Sequence, residues 1–105
     1  MAAGRRQGEM EEHLYKEYRF VLGVSENEEL ILIQGIIDVY FEEEDGIVLL
    51  DYKTDGVDKN FGEEILKKRY DVQLKFYEKA LVLLTGKAVK EKIIYSFGLN
   101  KEIRL

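Results

Sequence analysis

Three ionisable residues stand where the surrounding pattern calls for apolar ones. Asp38 sits between Ile36-Ile37 and Val39-Tyr40, and Asp51 and Lys53 follow directly on Ile47-Val48-Leu49-Leu50. An unpaired charge inside an apolar strand costs several kcal/mol, so these residues need partners. Two carboxylates, a backbone carbonyl and water make an oxygen-rich site suited to Mg²⁺ or Mn²⁺. Such an ion polarises a phosphodiester and lowers the pKa of a bound water. A lysine beside it orients that water or neutralises charge developing on the phosphate. Hydrolysis of a nucleic-acid backbone requires these parts. The rival is a structural ion pair plus a strand-end carboxylate, and on spacing alone it is the stronger reading.

The elements must bring the three together. Residues 29–42 are rich in β-branched and aromatic side chains, as are residues 47–54, and Asp45-Gly46 between them is a hairpin signal. With Asp45-Gly46 as a two-residue turn, Glu44 pairs with Ile47, Asp38 falls opposite Lys53, and Asp51 takes the neighbouring diagonal. Side chains alternate with a period of two, so all three share a face. Direct partners are then about 5 Å apart and diagonals about 7–8 Å, within side-chain reach of one ion. A slip of one residue would break the arrangement.

Around this hairpin, residues 8–16 are weakly helix-compatible and residues 17–24 alternate as a half-buried strand before the polar turn Ser25-Glu26-Asn27-Glu28. Apolar side chains on both parities of residues 30–41 predict a strand covered on both faces. Residues 62–85 read as a long helix whose apolar stripe is Leu66, Tyr70, Leu74, Tyr77, Leu81 and Leu84, with Gly86 as its left-handed terminator. Val89 to Phe97 is a last strand. The order α-β-β-β-α-β predicts an α/β fold: a small mixed sheet with flanking helices, the long helix returning the final strand beside the sheet.

The chain is 105 residues, one domain at most, and at that size roughly 60–70% of the unfolded surface can be buried. The absence of cysteine excludes disulfides, thiolate zinc sites and iron–sulfur clusters and fits a reducing cytoplasm. No apolar run approaches the roughly 18 residues of a membrane span, and no export signal is visible, so a soluble cytoplasmic protein is expected. A formal charge of −5 argues against a protein whose whole task is gripping nucleic acid, though metal-binding carboxylates contribute to it. Lys67-Lys68-Arg69, the one dense basic patch, reads first as a solvated helix end.

Gly35-Ile36-Ile37-Asp38, then Asp51-Tyr52-Lys53-Thr54-Asp55, then Gln73-Leu74-Lys75-Phe76-Tyr77 occur in order at suitable distances. This series resembles the motifs G-x-x-D, D-Y-K-T and Q-x-x-x-Y of the RecB-type branch of the PD-(D/E)XK nuclease superfamily, and most of all the C-terminal nuclease domain of the AddA helicase–nuclease family. The similarity covers about residues 17–103 and reverses the weighting of the two readings above. It implies a restriction-endonuclease-like core, with Asp38 and Asp51 as metal ligands, the Tyr52 carbonyl as a further ligand, and Lys53 as the catalytic lysine. Gln73 and Tyr77, four apart on one helix face, are implied to lie near the site and contact DNA. Read without the resemblance, Gln73 is a boundary polar residue and Tyr77 plain core. With it, Gln73 is assigned a functional role and Tyr77 stays evenly divided.

Relatives also carry an acid or histidine on a helix upstream of the sheet. Only Glu9, Glu11, Glu12 and the lone His13 are available here, with His13 a further candidate metal ligand, and an exposed polar helix end explains them equally well. The implied activity is Mg²⁺-dependent exonuclease-type cleavage of DNA in double-strand-break repair and recombination, with Mn²⁺ able to substitute. The implied partners are DNA, a helicase motor in the same natural polypeptide or complex, and an AddB-like subunit. No G-x-x-x-x-G-K-[ST] loop is present, so the motor lies elsewhere. The chain is expected to be a fragment of a larger helicase–nuclease. A non-catalytic DNA-binding or partner-docking module on a truncated nuclease fold is the alternative, and self-association of the fragment is a third possibility.

Overall fold

The computed structural model describes residues 13–105. Three strands, β1 (Leu14–Glu26), β2 (Glu29–Glu43) and β3 (Gly46–Lys53), lead to one long helix, α1 (Gly62–Thr85), followed by β4 (Val89–Ser96) and β5 (Lys101–Arg104). They form a mixed α/β fold built on a five-stranded sheet in the order β1-β2-β3-β4-β5. Every neighbouring pair is antiparallel except β3–β4, which is parallel. A parallel pair needs a long crossover, and α1 supplies it.

The helix spans the residues its periodicity predicts. Leu66, Leu74, Tyr77 and Leu81 are buried, and Tyr70 is half-buried. The buried stripe stops at Leu81, leaving Leu84 in the last turn exposed. Gly86 adopts φ +72° and donates its N–H to the Val82 carbonyl, closing the helix through the left-handed conformation glycine tolerates. Against α1 pack Ile37 and Tyr40 from β2, Ile47 and Leu49 from β3, Ile94 from β4 and Ile103 from β5. A second cluster, Val39, Phe41, Val48 and Ile93 with Leu14 and Leu50, forms apart from it.

Four expectations are corrected. Of the helix expected at 8–16, residues 8–12 lie outside the described residues, and Leu14–Lys16 are the start of β1, hydrogen-bonded along β2. β5 is an added strand, too short and too charged to show periodicity, although its Ile103 is fully buried. Coverage on both faces holds for residues 37–41 but not for Leu30, Ile31, Leu32 and Ile36, all exposed. The cause is the sheet's shape: β3 pairs with β2 only from Val39 to Glu43, so the rest of the β1–β2 ribbon has no third strand beside it.

The fourth correction concerns register. The turn is Glu44-Asp45, and Glu43 faces Gly46 while Val39 faces Leu50. Gly46 serves the ladder instead: its φ is +148°, and a Cβ there would stand 2.9 Å from the Ala88 carbonyl oxygen. That same carbonyl accepts the Ile47 N–H at 2.9 Å, and Lys90 bridges Glu43 and Asp45, both at 2.6 Å, tying the turn to β4. The slip from the expected pairing is two residues. An even slip leaves every side chain on its expected face and moves Asp38 level with Asp51 rather than Lys53.

Candidate active site

Asp38 occupies an irregular step. The β1–β2 ladder runs from Lys16–Val39 to Tyr18–Ile37 and omits the step between, where Glu17 takes φ +51°. Alternation along β2 breaks at the same point, since Ile37 and Tyr40 both pack toward α1. Asp38 is thereby freed from the regular ladder, and its Oδ2 accepts the Tyr52 backbone N–H at 2.9 Å. A strand residue's N–H and C=O project from the same edge, so the Tyr52 carbonyl also faces the Asp38 side.

Asp51, only 2% exposed, lies on the α1 side of β3 with Ile47 and Leu49. Its carboxyl is pushed up to about 7, first by burial and next by its hydrogen-bonding contact with Asp38, against the opposing pull of Lys53. Lys53 Nζ stands 2.9 Å from Asp51 Oδ2. No hydrogen bond of acceptable alignment reaches that buried oxygen, so the contact is an ion pair rather than a directed bond.

The helix completes the surroundings. Gln73 Oε1 accepts a hydrogen bond from Lys53 Nζ at 2.8 Å, and the Tyr70 ring lies under the same ammonium with its centroid 4.1 Å away. The Tyr70 hydroxyl reaches both carboxylate oxygens of Asp55, at 2.9 and 2.7 Å, and Arg69 pairs with Asp55 from the next helix position. Tyr70 and then Arg69 hold the Asp55 carboxyl below its usual range. Tyr77 is buried edge-on against Phe20, ring centroids 5.5 Å apart, and its hydroxyl is pushed up by burial first and then by the charges of Asp51 and Asp38. Gly35 explains itself here: a Cβ would meet the Phe20 ring at 2.7 Å and the Tyr77 ring at 3.0 Å.

Asp38, Asp51, Lys53, Gln73 and Tyr77 thus converge at the C-terminal end of β3, where open α/β sheets commonly hold ligands. His13 does not join them. Its carbonyl accepts the Glu42 N–H, four residues along β2 from Asp38, or roughly 13 Å at strand rise. Glu9, Glu11 and Glu12 lie outside the described residues. Among the described residues, no third acid or histidine completes a cluster with the two aspartates.

Sequence reasoning missed Asp55, Tyr70 and Arg69 as parts of this constellation. The available signal was Tyr70 three residues before Gln73, on the same helical face. Arg69, expected at a solvated helix end, lies instead in the second turn of α1, paired to Asp55.

A family model described as the PD-(D/E)XK nuclease superfamily matches residues 2–102. The chain belongs to this superfamily. Its five-stranded mixed sheet and crossover helix are consistent with the restriction-endonuclease-like architecture of PD-(D/E)XK proteins. One relative, the AddA-type polypeptide of an ATP-dependent helicase/nuclease from Lachnoclostridium phytofermentans, is 68% identical over 80 residues, 76% of this chain and 6% of that protein. Its counterpart from Clostridium botulinum (strain Hall) is 48% identical over 97 residues, 92% of this chain and again 6% of the relative. The chain therefore spans about 6% of the length of these curated relatives.

The donor set of this PD-(D/E)XK core fits a divalent cation. Two carboxyls press together, one buried oxygen has no aligned hydrogen bond, and a carbonyl faces the same edge. These are hard oxygen donors of the kind Mg²⁺ and Mn²⁺ prefer. Among the described residues no helix is long and apolar enough to cross a membrane.

Proposed function

We propose that this chain is the DNA-cutting core of a recombination helicase–nuclease, a Mg²⁺-dependent deoxyribonuclease that hydrolyses strands delivered by a motor elsewhere in the polypeptide or complex. The observation that carries the reading is the convergence of Asp38, Asp51 and Lys53 on one face, with Gln73 from the helix bonded to the lysine. Asp38, Asp51 and the Tyr52 carbonyl would hold the cation. When bound, Mg²⁺ or Mn²⁺ polarises the scissile phosphodiester and lowers the pKa of a bound water. The Lys53 ammonium neutralises charge developing on the phosphate oxygens or orients the attacking water. Gln73 fixes that ammonium from the helix, and Tyr77 closes the site's inner wall. The partners this reading supplies are DNA, a helicase motor and a second, AddB-like polypeptide, and the cytoplasm is its compartment.

The test is incubation of the chain with single-stranded DNA and Mg²⁺ beside Asp51→Ala and Lys53→Ala. Each substitution is expected to reduce cleavage by about 10²-fold or more, the scale of losing a transition-state charge partner. Cleavage that persists in both variants sinks the assignment. A second reading is a non-catalytic module that binds DNA or docks a partner. It draws on the two-carboxylate shell among the described residues and on the net charge of −5. Retained DNA binding without Mn²⁺ binding, the latter read by paramagnetic broadening around Asp38, would favour it.

A further inference from the structure

We propose that Tyr70 is a positioning residue for Lys53, holding the ammonium on its ring face while Asp55 and Arg69 lock the ring in place. The proposal deepens the nuclease reading and rests on Lys53 as the site's cation.

A lysine side chain is a long flexible stem, and an ammonium fixed at one point in a site must be held from several directions. Lys53 Nζ has three neighbours: Asp51 Oδ2 at 2.9 Å, Gln73 Oε1 at 2.8 Å and the Tyr70 ring centroid at 4.1 Å. The last two come from helix positions three apart, on one face of α1. They differ in kind from Asp51. A carboxylate committed to a cation gives up part of its hold on the lysine, whereas an amide oxygen and a ring face keep theirs. The ring is also neutral, so it attracts the ammonium through its quadrupole without accepting its proton.

A ring can serve this purpose only if it is itself held. The Tyr70 hydroxyl is shared between the two Asp55 oxygens at 2.9 and 2.7 Å, and Arg69 pairs with Asp55 on its other side. Asp55 follows Lys53 by two residues, so the loop leaving β3 returns to secure the platform under the lysine that ends it. The chain Arg69–Asp55–Tyr70–Lys53 therefore links the helix surface to the ammonium. In it Asp55 and Arg69 act through Tyr70, and Tyr70 acts through Lys53.

The measurement is a ¹³C-edited NMR spectrum of the 105-residue chain carrying ¹³Cε-labelled lysine, with the Lys53 signal assigned by its loss in Lys53→Arg. A proton stacked over an aromatic face is shifted upfield, so the Lys53 ε-methylene signal is expected upfield of the exposed lysines. The signal should return to the common position in Tyr70→Leu, keep most of its shift in Tyr70→Phe, and move part of the way back in Asp55→Asn. In the nuclease assay Tyr70→Leu is expected to lower kcat by about tenfold at unchanged KM for DNA, with Tyr70→Phe recovering most of it. A wild-type Lys53 signal at the exposed-lysine position overturns the proposal whether or not any variant folds. The two readings fail separately. An inactive chain with a shifted Lys53 refutes only the nuclease, and an active chain with an unshifted Lys53 refutes only the positioning role.

Discussion

Two carboxyls brought into contact in a buried strand pair cannot both ionise freely, and that repulsion is energy a cation can recover. The Asp51 carboxyl binds its proton more tightly in the fold, at about 7, than at the ordinary 3.8 of an unfolded chain. Its contribution to stability is therefore complete below about pH 3.8, declines across the interval, and is lost as the pH rises through 7. In metal-free buffer the midpoint of thermal unfolding is expected to be higher at about pH 5.5 than at about pH 8, with a total effect on the order of a few kcal/mol. A divalent cation favours the ionised pair, so added Mn²⁺ should raise the midpoint at the higher pH and do so much less at the lower. Asp51→Asn should flatten both dependences. An Asp51→Asn protein with the wild-type pH slope and the wild-type response to Mn²⁺ would remove the acid pair as their source. Gly35 gives a second prediction at this scale. Gly35→Ala drives a methyl into the Phe20 and Tyr77 rings and should cost roughly 1–3 kcal/mol in urea unfolding. Phe20→Leu should recover part of that loss. Equal loss in both Phe20 backgrounds would show that the ring is not what the glycine spares.

At the scale of elements, the β2–β3 hairpin decides which residues meet. The observed register predicts backbone NOEs between Tyr40 and Leu49, and contacts between Tyr40 and Asp51 instead would restore the Asp45-Gly46 turn. Gly46→Ala should cost on the order of 2 kcal/mol or more, because it adds a side chain at φ +148° under the Ala88 carbonyl. Glu44→Ala, at the exposed turn, should stay within about 0.5 kcal/mol of wild type. This hairpin also shows how much of the molecule was legible in the sequence. The helix at 62–85 was, because six apolar residues at helical spacing leave little alternative. The common face of Asp38, Asp51 and Lys53 was legible because it depends only on parity, which a two-residue slip preserves. The register was not. It is set by the β3–β4 crossing, where Ala88 and Lys90 compete with local turn chemistry for Gly46, and no local pattern reveals that contact. The Tyr70–Asp55 clamp was hidden for a similar reason: Tyr70 reads as one more member of an apolar stripe until the helix is docked on the sheet.

The whole molecule is flat and extended for its length, with a radius of gyration of 14.8 Å where about 13 Å is usual. The β1–β2 ribbon accounts for this, running past the last β3 pairing at Val39 to a turn at Asn27-Glu28. Two-stranded ribbons are marginal in water by themselves, and this one exposes Val21, Leu30, Ile31, Leu32 and Ile36. Its tip carries Glu26, Glu28 and Glu29, and the chain as a whole carries −5, so two copies approaching through the ribbon repel while their apolar surfaces attract. Salt screens the first effect and leaves the second, so self-association of the chain should strengthen from low to moderate NaCl. Sedimentation velocity across a concentration series in two salt concentrations measures this. Leu30→Lys with Leu32→Lys, one apolar face of the ribbon replaced by charge, should shift the chain toward monomer while leaving the α1-facing core intact. A wild-type chain that sediments as a monomer at its solubility limit in both salts would show that the ribbon's exposed side chains do not bind one another.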